Sequence, residues 1–202
     1  MRDLDKALTD IQTMRSQIAR GIEFRAYGPA TIAATGIISI AAALIQAYWL
    51  GDAANIRSFL VLWTAAAALS AAIIAAEVMT RSKRVHSGLA DEMIQAAVEQ
   101  ILPSIVVGTL LTYVLVRFAP ETVWMLPGLW QLILSLGIFA SRRFLPAPLM
   151  AVGVWYLASG LCCLAFANGA HALSPLAMLI PFGGGQLFAA LLIYRLRVSD
   201  GE

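Results

Sequence analysis

Charged residues divide the chain into five long uncharged runs, of 26, 19, 17, 20 and 51 residues. An α-helix needs about 20 predominantly apolar residues to cross the hydrocarbon core of a bilayer. The first four runs are therefore long enough for one span each. The fifth run, which is interrupted by the polar residues Asn168, Gly169 and His171, has room for two spans and a turn. The pattern predicts six transmembrane helices, at about 29–50, 59–79, 101–118, 124–141, 148–167 and 174–194.

These runs favour helices over strands. The strands of a membrane barrel alternate apolar and polar residues, whereas segments 37–47 and 65–76 are apolar on nearly every face. A helix also satisfies its own backbone hydrogen bonds in lipid. We therefore expect an all-α fold, a polytopic membrane helical bundle with six transmembrane helices. Its parts are a cytoplasmic amphipathic helix at 1–28, the transmembrane domain at 29–194 and a cytoplasmic tail at 195–202.

The composition supports a membrane protein and gives it an orientation. Of the 202 residues, 60% are hydrophobic and only 13% are charged, which excludes an ordinary soluble enzyme, a disordered chain and a secreted disulfide scaffold. Lys and Arg collect at every second connection, so that only Arg57 and Arg117 lie on the other side. By the positive-inside tendency, both termini are cytoplasmic. The net charge of +2 then reports topology rather than nucleic-acid binding, and the expected partner is the lipid bilayer.

The polar N-terminal segment carries one apolar helical face. Its apolar residues recur at steps of three and four, which is the spacing of an amphipathic helix. Three interpretations remain open: a helix lying on the protein's own cytoplasmic end, a docking helix for a partner or a second copy, and attachment to the membrane surface. The residues that would form the docking face are Leu4, Leu8, Ile11, Met14 and Ile18.

Two features of the spans concern helix packing and anchoring at the membrane surface. Span two is rich in alanine, and small residues let helices approach closely. It is therefore expected to be the central packing helix of the bundle or the seam between two copies. Tryptophans such as Trp63 and Trp130 lie toward span ends, where anchoring at the headgroup level explains them.

Polar residues within the spans form the candidate site. Gln131 and Gln186 are expected to face the interior because an unpaired amide is costly in lipid, and Gln46 lies near the outer end of span one. Hydrogen bonding between helices explains them, and a small polar site between spans four and six is the functional alternative. Pro181 and the run Gly183, Gly184, Gly185 would let span six bend or unwind beside such a site.

Glu77 is the carboxylate within a predicted span, close to its cytoplasmic end. Pairing with the nearby cations Arg81, Lys83 and Arg84, or snorkelling toward water, is the structural interpretation. A proton-coupling or ion-pair role is the functional one.

The sequence contains no recognisable catalytic constellation. His86 and His171 are the only histidines, and the topology places them on opposite sides of the membrane. Neither a zinc-protease helix motif nor a nucleophile elbow is present. We therefore predict no catalytic residues, no metal site and no cofactor.

The layout resembles a group of uncharacterised bacterial six-helix inner-membrane proteins. The resemblance rests on a polar N-terminal helix, six spans and a glycine-rich last span that ends in an aromatic residue and basic residues. In this chain those positions are the glycine run 183–185, Tyr194 and Arg195. It implies a multi-pass protein of the bacterial inner membrane, and it implies no activity.

Three functions are compatible with this sequence. The first is a non-enzymatic accessory, regulatory or assembly subunit that acts through helix packing and its N-terminal helix. The second is a small-molecule transporter or channel, either a monomer or a homodimer, with a polar site near spans four and six. The third is an enzyme that acts on a lipid-soluble substrate, for which no catalyst can be named.

Deletion of residues 1–24 tests the docking interpretation. We expect the truncated protein to fold in the membrane but to lose a partner, because the apolar face would be the surface that the partner binds. Mass spectrometry of the proteins that accompany full-length and truncated protein in mild detergent makes the comparison. Retention of every partner by the truncated protein would remove the helix as the docking element.

Overall fold

The computed structural model describes residues 28–50, 55–84, 89–143, 145–166, 171 and 173–199, with side chains except at 81–101 and 143. Within these ranges every regular element is helical, which confirms the all-α fold for this part of the chain. The expected N-terminal helix and its docking face lie outside the described residues. His86 and the end of the tail from residue 200 also lie outside them.

Seven α-helices are described, several of them flanked by short 3₁₀ or π-helical turns. Helix α1 runs on into a π-helical turn, and the last membrane segment consists of α6, a π-helical segment and α7. The bounds are α1 (Pro29–Ile45) with the π turn Gln46–Leu50, α2 (Ile56–Arg84), α3 (Leu89–Phe118), a 3₁₀ turn Pro120–Met125, α4 (Leu126–Ala140), 3₁₀ turns Ser141–Arg143 and Ala147–Leu149, α5 (Met150–Phe166), α6 (Pro175–Met178), the π segment Leu179–Gly184 and α7 (Gly185–Ser199).

Five of these segments are long and apolar enough to cross a membrane. They overlap five of the six segments predicted from the uncharged runs. The remaining predicted span corresponds to Leu102–Phe118, a shorter apolar part of α3. The five are Pro29–Leu50, Ile56–Thr80, Pro120–Ala140, Ala147–Phe166 and Pro175–Ser199.

Prolines mark where several of these helices begin. Pro29 and Pro175 occupy first-turn positions, where a missing backbone N–H costs nothing and the fixed φ already suits a helix. Ser174 is the N-cap of α6, and its side chain accepts a hydrogen bond from the Ala177 N–H at 3.3 Å. The sequence thus fixes the start of the last membrane segment by two independent local signals.

The protein core lies between α1, α4, α5 and α7. Helices α4 and α5 share the most extensive contact, and α1 packs along α7 and the π segment. One apolar cluster joins α1, α5 and α7, and a second joins α1, α2 and α6 toward the other end. The buried members of the first are Ile32, Leu149, Val152, Tyr156, Ala190 and Ile193, and those of the second are Ala42, Ala43, Phe59, Trp63 and Met178.

Helix α2 is peripheral, so the expectation that span two is the central packing helix is wrong, while the alternative, a seam between two copies, stays a prediction. In its most apolar window only 11% of residues are buried, against 28–39% in the other four membrane-length segments. Seven alanines of α2 are exposed, and Ala66 is the one that packs, half-buried, against the second apolar cluster. Small residues mark a surface suited to close packing, but composition does not say whether that surface is turned inward or outward.

The anchoring role expected of Trp63 is also wrong, because its side chain is 4% exposed. Trp130 is half-buried, stacks on Phe59 at 6.2 Å between ring centroids and donates a hydrogen bond to Thr112 Oγ1 at 2.9 Å. Both indoles therefore link helices. Trp49 in the π turn at the end of α1 is 85% exposed, and its anchoring at the headgroup level stays a prediction.

Glycines set the close contact between α4 and α5. A Cβ added to Gly128 would lie 2.9 Å from the Gly160 carbonyl oxygen and 2.7 Å from Leu164 Cγ. A Cβ on Gly160 would in turn lie 3.0 Å from the Gly128 carbonyl oxygen. The two backbones therefore approach each other without side chains between them, which is how small residues promote helix association in lipid.

Gly128→Ala should destabilise the protein because the new methyl group meets a backbone carbonyl that has little room to move. Overpacking of this kind costs about 1–3 kcal/mol. Gly108→Ala is the matched control, since a Cβ there has nothing within 4 Å. We expect it to be neutral or slightly stabilising, because alanine favours a helix by up to about 1 kcal/mol over glycine. Unfolding in detergent measures both, and equal effects would contradict the close contact.

Candidate functional site

A proline in the last membrane segment frees a carbonyl that two other helices bind. In an unbroken α-helix the N–H of residue 181 would donate to the carbonyl of Ala177, but Pro181 has no N–H. The Ala177 carbonyl instead accepts hydrogen bonds from Gln131 Nε2 at 3.0 Å and from Cys163 Sγ at 3.6 Å. Gln131 Nε2 also lies 3.5 Å from Cys163 Sγ. These three groups, which we call the Ala177 cluster, connect α4, α5 and α6.

Further buried polar groups lie on α4 and α5, beyond the Ala177 cluster. Ser135 follows Gln131 by one turn on α4 and has no exposed surface, and Tyr156 of α5 is 1% exposed. Among the described residues, Gln131 Oε1, Ser135 Oγ and Tyr156 Oη have no hydrogen-bond partner. A buried polar group without a partner costs about 1–3 kcal/mol. The interior thus holds three neutral groups with hydrogen-bonding capacity that the described side chains do not use.

The register of α4 and α5 puts Ser135 and Tyr156 at the same level. Gly128 opposes Gly160, and a Cβ on Gly153 would lie 2.7 Å from the ring of Phe139. Because the two helices are antiparallel, residue numbers at opposed positions sum to a nearly constant value. The sum for residues 135 and 156 lies between the sums for the pairs Gly128–Gly160 and Phe139–Gly153. The hydroxyl-bearing side chains of Ser135 and Tyr156 therefore belong to one layer of the helix pair.

The π segment Leu179–Gly184 lies beside this layer and is shaped by residues without side-chain bulk. A Cβ on Gly185 would lie 2.9 Å from Tyr156 Oη, and one on Gly183 would lie 3.1 Å from Ile40. The Gly184 position faces Trp155, whose Nε1 donates to the Pro181 carbonyl at 3.3 Å. The three glycines therefore serve close packing against α1 and α5, and the segment between α6 and α7 is wound as a π-helix rather than unwound.

Gln186 does not join Gln131. It follows Ala177 by nine residues on the last membrane segment, which is roughly 10–13 Å along a helix axis. Its side chain is half-buried beside Gly36 of α1 and has no hydrogen-bond partner among the described residues. The two glutamines occupy similar sequence contexts, yet only Gln131 is completely buried. They therefore lie at different levels of the bundle.

Gln46 ties the opposite end of α1 to two neighbours. Its Oε1 accepts a hydrogen bond from Trp63 Nε1 at 2.7 Å, and its Nε2 donates to the Leu173 carbonyl at 2.6 Å. The amide is 1% exposed, so both of its ends are paired away from solvent. The structural interpretation of this glutamine, hydrogen bonding between helices, is confirmed.

Glu77 contacts a helix N-terminus. Its Oε2 accepts a hydrogen bond from the backbone N–H of Gly28, the N-cap of α1, at 3.1 Å. A carboxylate is favoured there because the first N–H groups of a helix lack intrahelical partners and carry partial positive charge. The bond joins α2 to the start of α1. The sequence did not reveal this partner, because a backbone N–H 49 residues away leaves no signal in the pattern of side chains.

No protein-family model, curated protein or solved structure matches this chain. Within the described residues, no three His, Cys, Asp or Glu side chains come together as metal ligands.

The polar side chains in and near the Ala177 cluster are an amide, a thiol and hydroxyls. The chemistry that these neutral groups offer is hydrogen bonding. Sequence reasoning named Gln131 but missed Ser135, Tyr156 and Cys163. The sequence signal for this cluster was Pro181, because a proline leaves the carbonyl four residues before it without its usual helical donor.

Gln46→Leu should lower the free energy of unfolding by about 1–3 kcal/mol, because it removes two hydrogen bonds and leaves the buried Trp63 N–H unpaired. Gln186→Leu, the same substitution at an amide without a described partner, should change it by less than about 0.5 kcal/mol. Denaturation in mixed detergent micelles measures both variants. Similar losses in the two would show that the Gln46 contacts contribute little.

Proposed function

We propose that the protein is a non-enzymatic integral membrane subunit that binds another transmembrane helix, in an accessory, regulatory or assembly role. The observation that carries the proposal is the contrast between the outer surfaces of α2 and α3. Seven alanines of α2 are exposed, whereas the exposed face of α3 consists mainly of large aliphatic and aromatic residues. The alanines are Ala65, Ala67, Ala68, Ala71, Ala72, Ala75 and Ala76.

The contrast matters because lipid chains and protein helices favour different surfaces. Association in a bilayer gains little from apolarity alone, since lipid tails are as apolar as the helix. It depends on how closely two backbones approach, and small residues permit the closest approach. Ala65, Ala68, Ala72 and Ala75 recur at steps of three and four, so they share one side of α2. We call this surface the α2 alanine face.

The internal polar groups support the same function. Gln46, Glu77 and the amide nitrogen of Gln131 contact neighbouring elements of the same chain. These side chains stabilise the arrangement of helices that presents α2. They are consistent with a protein whose role is to hold a surface in place.

The arrangement that we propose has six spans and both termini in the cytoplasm. Leu102–Phe118 would supply the sixth span, since 17 helical residues extend about 25 Å, at the short end of what crosses a membrane. Twelve of the fourteen Lys and Arg residues then lie on the cytoplasmic side. The inner membrane of a bacterium is the location that the resemblance implies.

Transport is the second candidate function, and one observation favours it. The buried oxygens of Gln131, Ser135 and Tyr156 without described partners lie beside the π segment. Irregular helical segments near the bilayer midplane border the substrate sites of several transporter folds. A small neutral solute that forms hydrogen bonds is the ligand that such groups would suit.

The double variant Ala68→Leu with Ala72→Leu tests the principal proposal. The leucines should hold a partner helix away from α2 and abolish co-purification without unfolding the protein, because both positions are exposed. We expect wild-type protein in mild detergent to carry a second membrane polypeptide, or a second copy, in stoichiometric amount. Native mass spectrometry measures that stoichiometry in wild type and variant.

The matched control carries the same substitutions at exposed alanines of α5, Ala151→Leu with Ala158→Leu. This control should retain the partner at the wild-type level. Equal loss in both double variants, or a wild-type protein that is monomeric and without any polypeptide partner, would contradict the proposal. A defined small molecule bound to such a solitary protein would favour transport instead.

A further inference from the structure

A groove lies between the beginning of α2 and the end of α3. Its volume is about 530 Å³, within the usual range for ligand sites, and it opens to the surface of the protein. Four of its lining residues are apolar and two are polar. The lining consists of Asn55, Ile56, Arg57, Leu60, Val61 and Val116. We call it the α2–α3 groove.

The polar residues of the groove stand together at the first turn of α2. Asn55 Oδ1 accepts a hydrogen bond from the Arg57 backbone N–H at 3.2 Å, which leaves the two amide hydrogens of Asn55 as further donors. Among the described residues, the Arg57 guanidinium has neither an ion-pair nor a hydrogen-bond partner. Glu121, the carboxylate described near the end of α3, does not line the groove. The end of the groove is thus a set of donors that carries a positive charge.

The apolar residues of the groove continue into the outer surfaces of both helices. Val61 is 64% exposed, and Val116 lies on the large-residue face of α3 that we expect acyl chains to cover. Leu60 and Val61 follow Arg57 by about one turn. A ligand that fits this order has an anionic head beside Arg57 and a hydrocarbon chain alongside the two helices.

We propose that the α2–α3 groove binds an anionic phospholipid, with the phosphate held by Arg57 and Asn55 and an acyl chain along Leu60, Val61 and Val116. Guanidinium binds phosphate with two parallel hydrogen bonds, and charge-assisted bonds of this kind are about twice as strong as neutral ones. The proposal concerns a site distinct from the α2 alanine face and does not depend on it.

Arg117 provides a stringent control. It carries the same charge at the same end of the α2–α3 pair, but it does not line the groove, and its guanidinium lies 5.9 Å from the centre of the Phe118 ring. Arg57→Gln and Arg117→Gln therefore remove equal charge from the same end of the molecule. Only the first removes a group from the groove.

The experiment measures lipid binding to delipidated full-length protein by native mass spectrometry. Phosphatidylglycerol and phosphatidylcholine are added separately, and inorganic phosphate is a third probe. We expect phosphatidylglycerol to bind more tightly than phosphatidylcholine, with little binding of free phosphate. Arg57→Gln should weaken phosphatidylglycerol binding about tenfold, the loss expected for one charge-assisted hydrogen-bonded contact. Arg117→Gln should stay within about twofold of wild type, as expected for a rim or surface charge.

A second variant separates the groove from its charge. Val116→Trp fills the apolar part and leaves Arg57 in place, and the side chain is exposed enough to be replaced without disturbing the core. It should reduce phosphatidylglycerol binding as strongly as Arg57→Gln does. Equal losses in the two arginine variants would assign the effect to general surface charge and overturn the proposal. Equal binding of phosphatidylcholine, or binding of inorganic phosphate as tight as that of the lipid, would overturn it as well.

Discussion

In a bilayer the backbone of the last membrane segment has to satisfy its hydrogen bonds without water, and Pro181 lacks the N–H that would donate to the Ala177 carbonyl in an α-helix. The carbonyl of Ala177 is then satisfied from outside, by Gln131 of α4 and Cys163 of α5. In water such a carbonyl would be solvated and would require no partner, whereas in hydrocarbon it costs several kcal/mol when unpaired. A local defect in one helix therefore fixes the relative position of three.

The need to pair polar groups away from water also separates the polar interior of the bundle from its apolar outer surface. Polar side chains that must be paired collect between α1, α4, α5 and the last segment, which is where the most extensive helix contacts lie. Helices α2 and α3 contribute less to this interior and leave long apolar surfaces outside it. The stabilising contacts thus lie in the interior, and the outer surfaces of α2 and α3 are apolar and exposed. Substitutions at exposed positions on those surfaces leave the core contacts in place.

The uncharged runs predicted the helical spans well because length and charge are properties of each segment by itself. The side of a helix that faces inward was much less predictable, because these runs are apolar on all faces and carry little amphipathic signal. For this reason the alanines of α2 were expected at the centre of the bundle, and Trp63 was expected at the membrane surface. Gln131 and Gln186 could not be distinguished either, since burial depends on neighbours that only the folded chain supplies. One partner of Glu77 is the Gly28 backbone N–H, which no side-chain pattern encodes.

The π segment Leu179–Gly184 also changes how the last span must be interpreted as a helical wheel. A π turn contains about one residue more than an α turn, so each such turn rotates everything that follows by about 100° relative to a continuous α-helix. The two halves of the span are therefore out of phase. The first half directs the Ala177 carbonyl toward α4 and α5, while the second directs Leu187 and Gln186 toward Gly36 of α1. One covalent segment thereby packs against α1 along both of its halves while the helical register changes between them, as it would between two separately oriented helices.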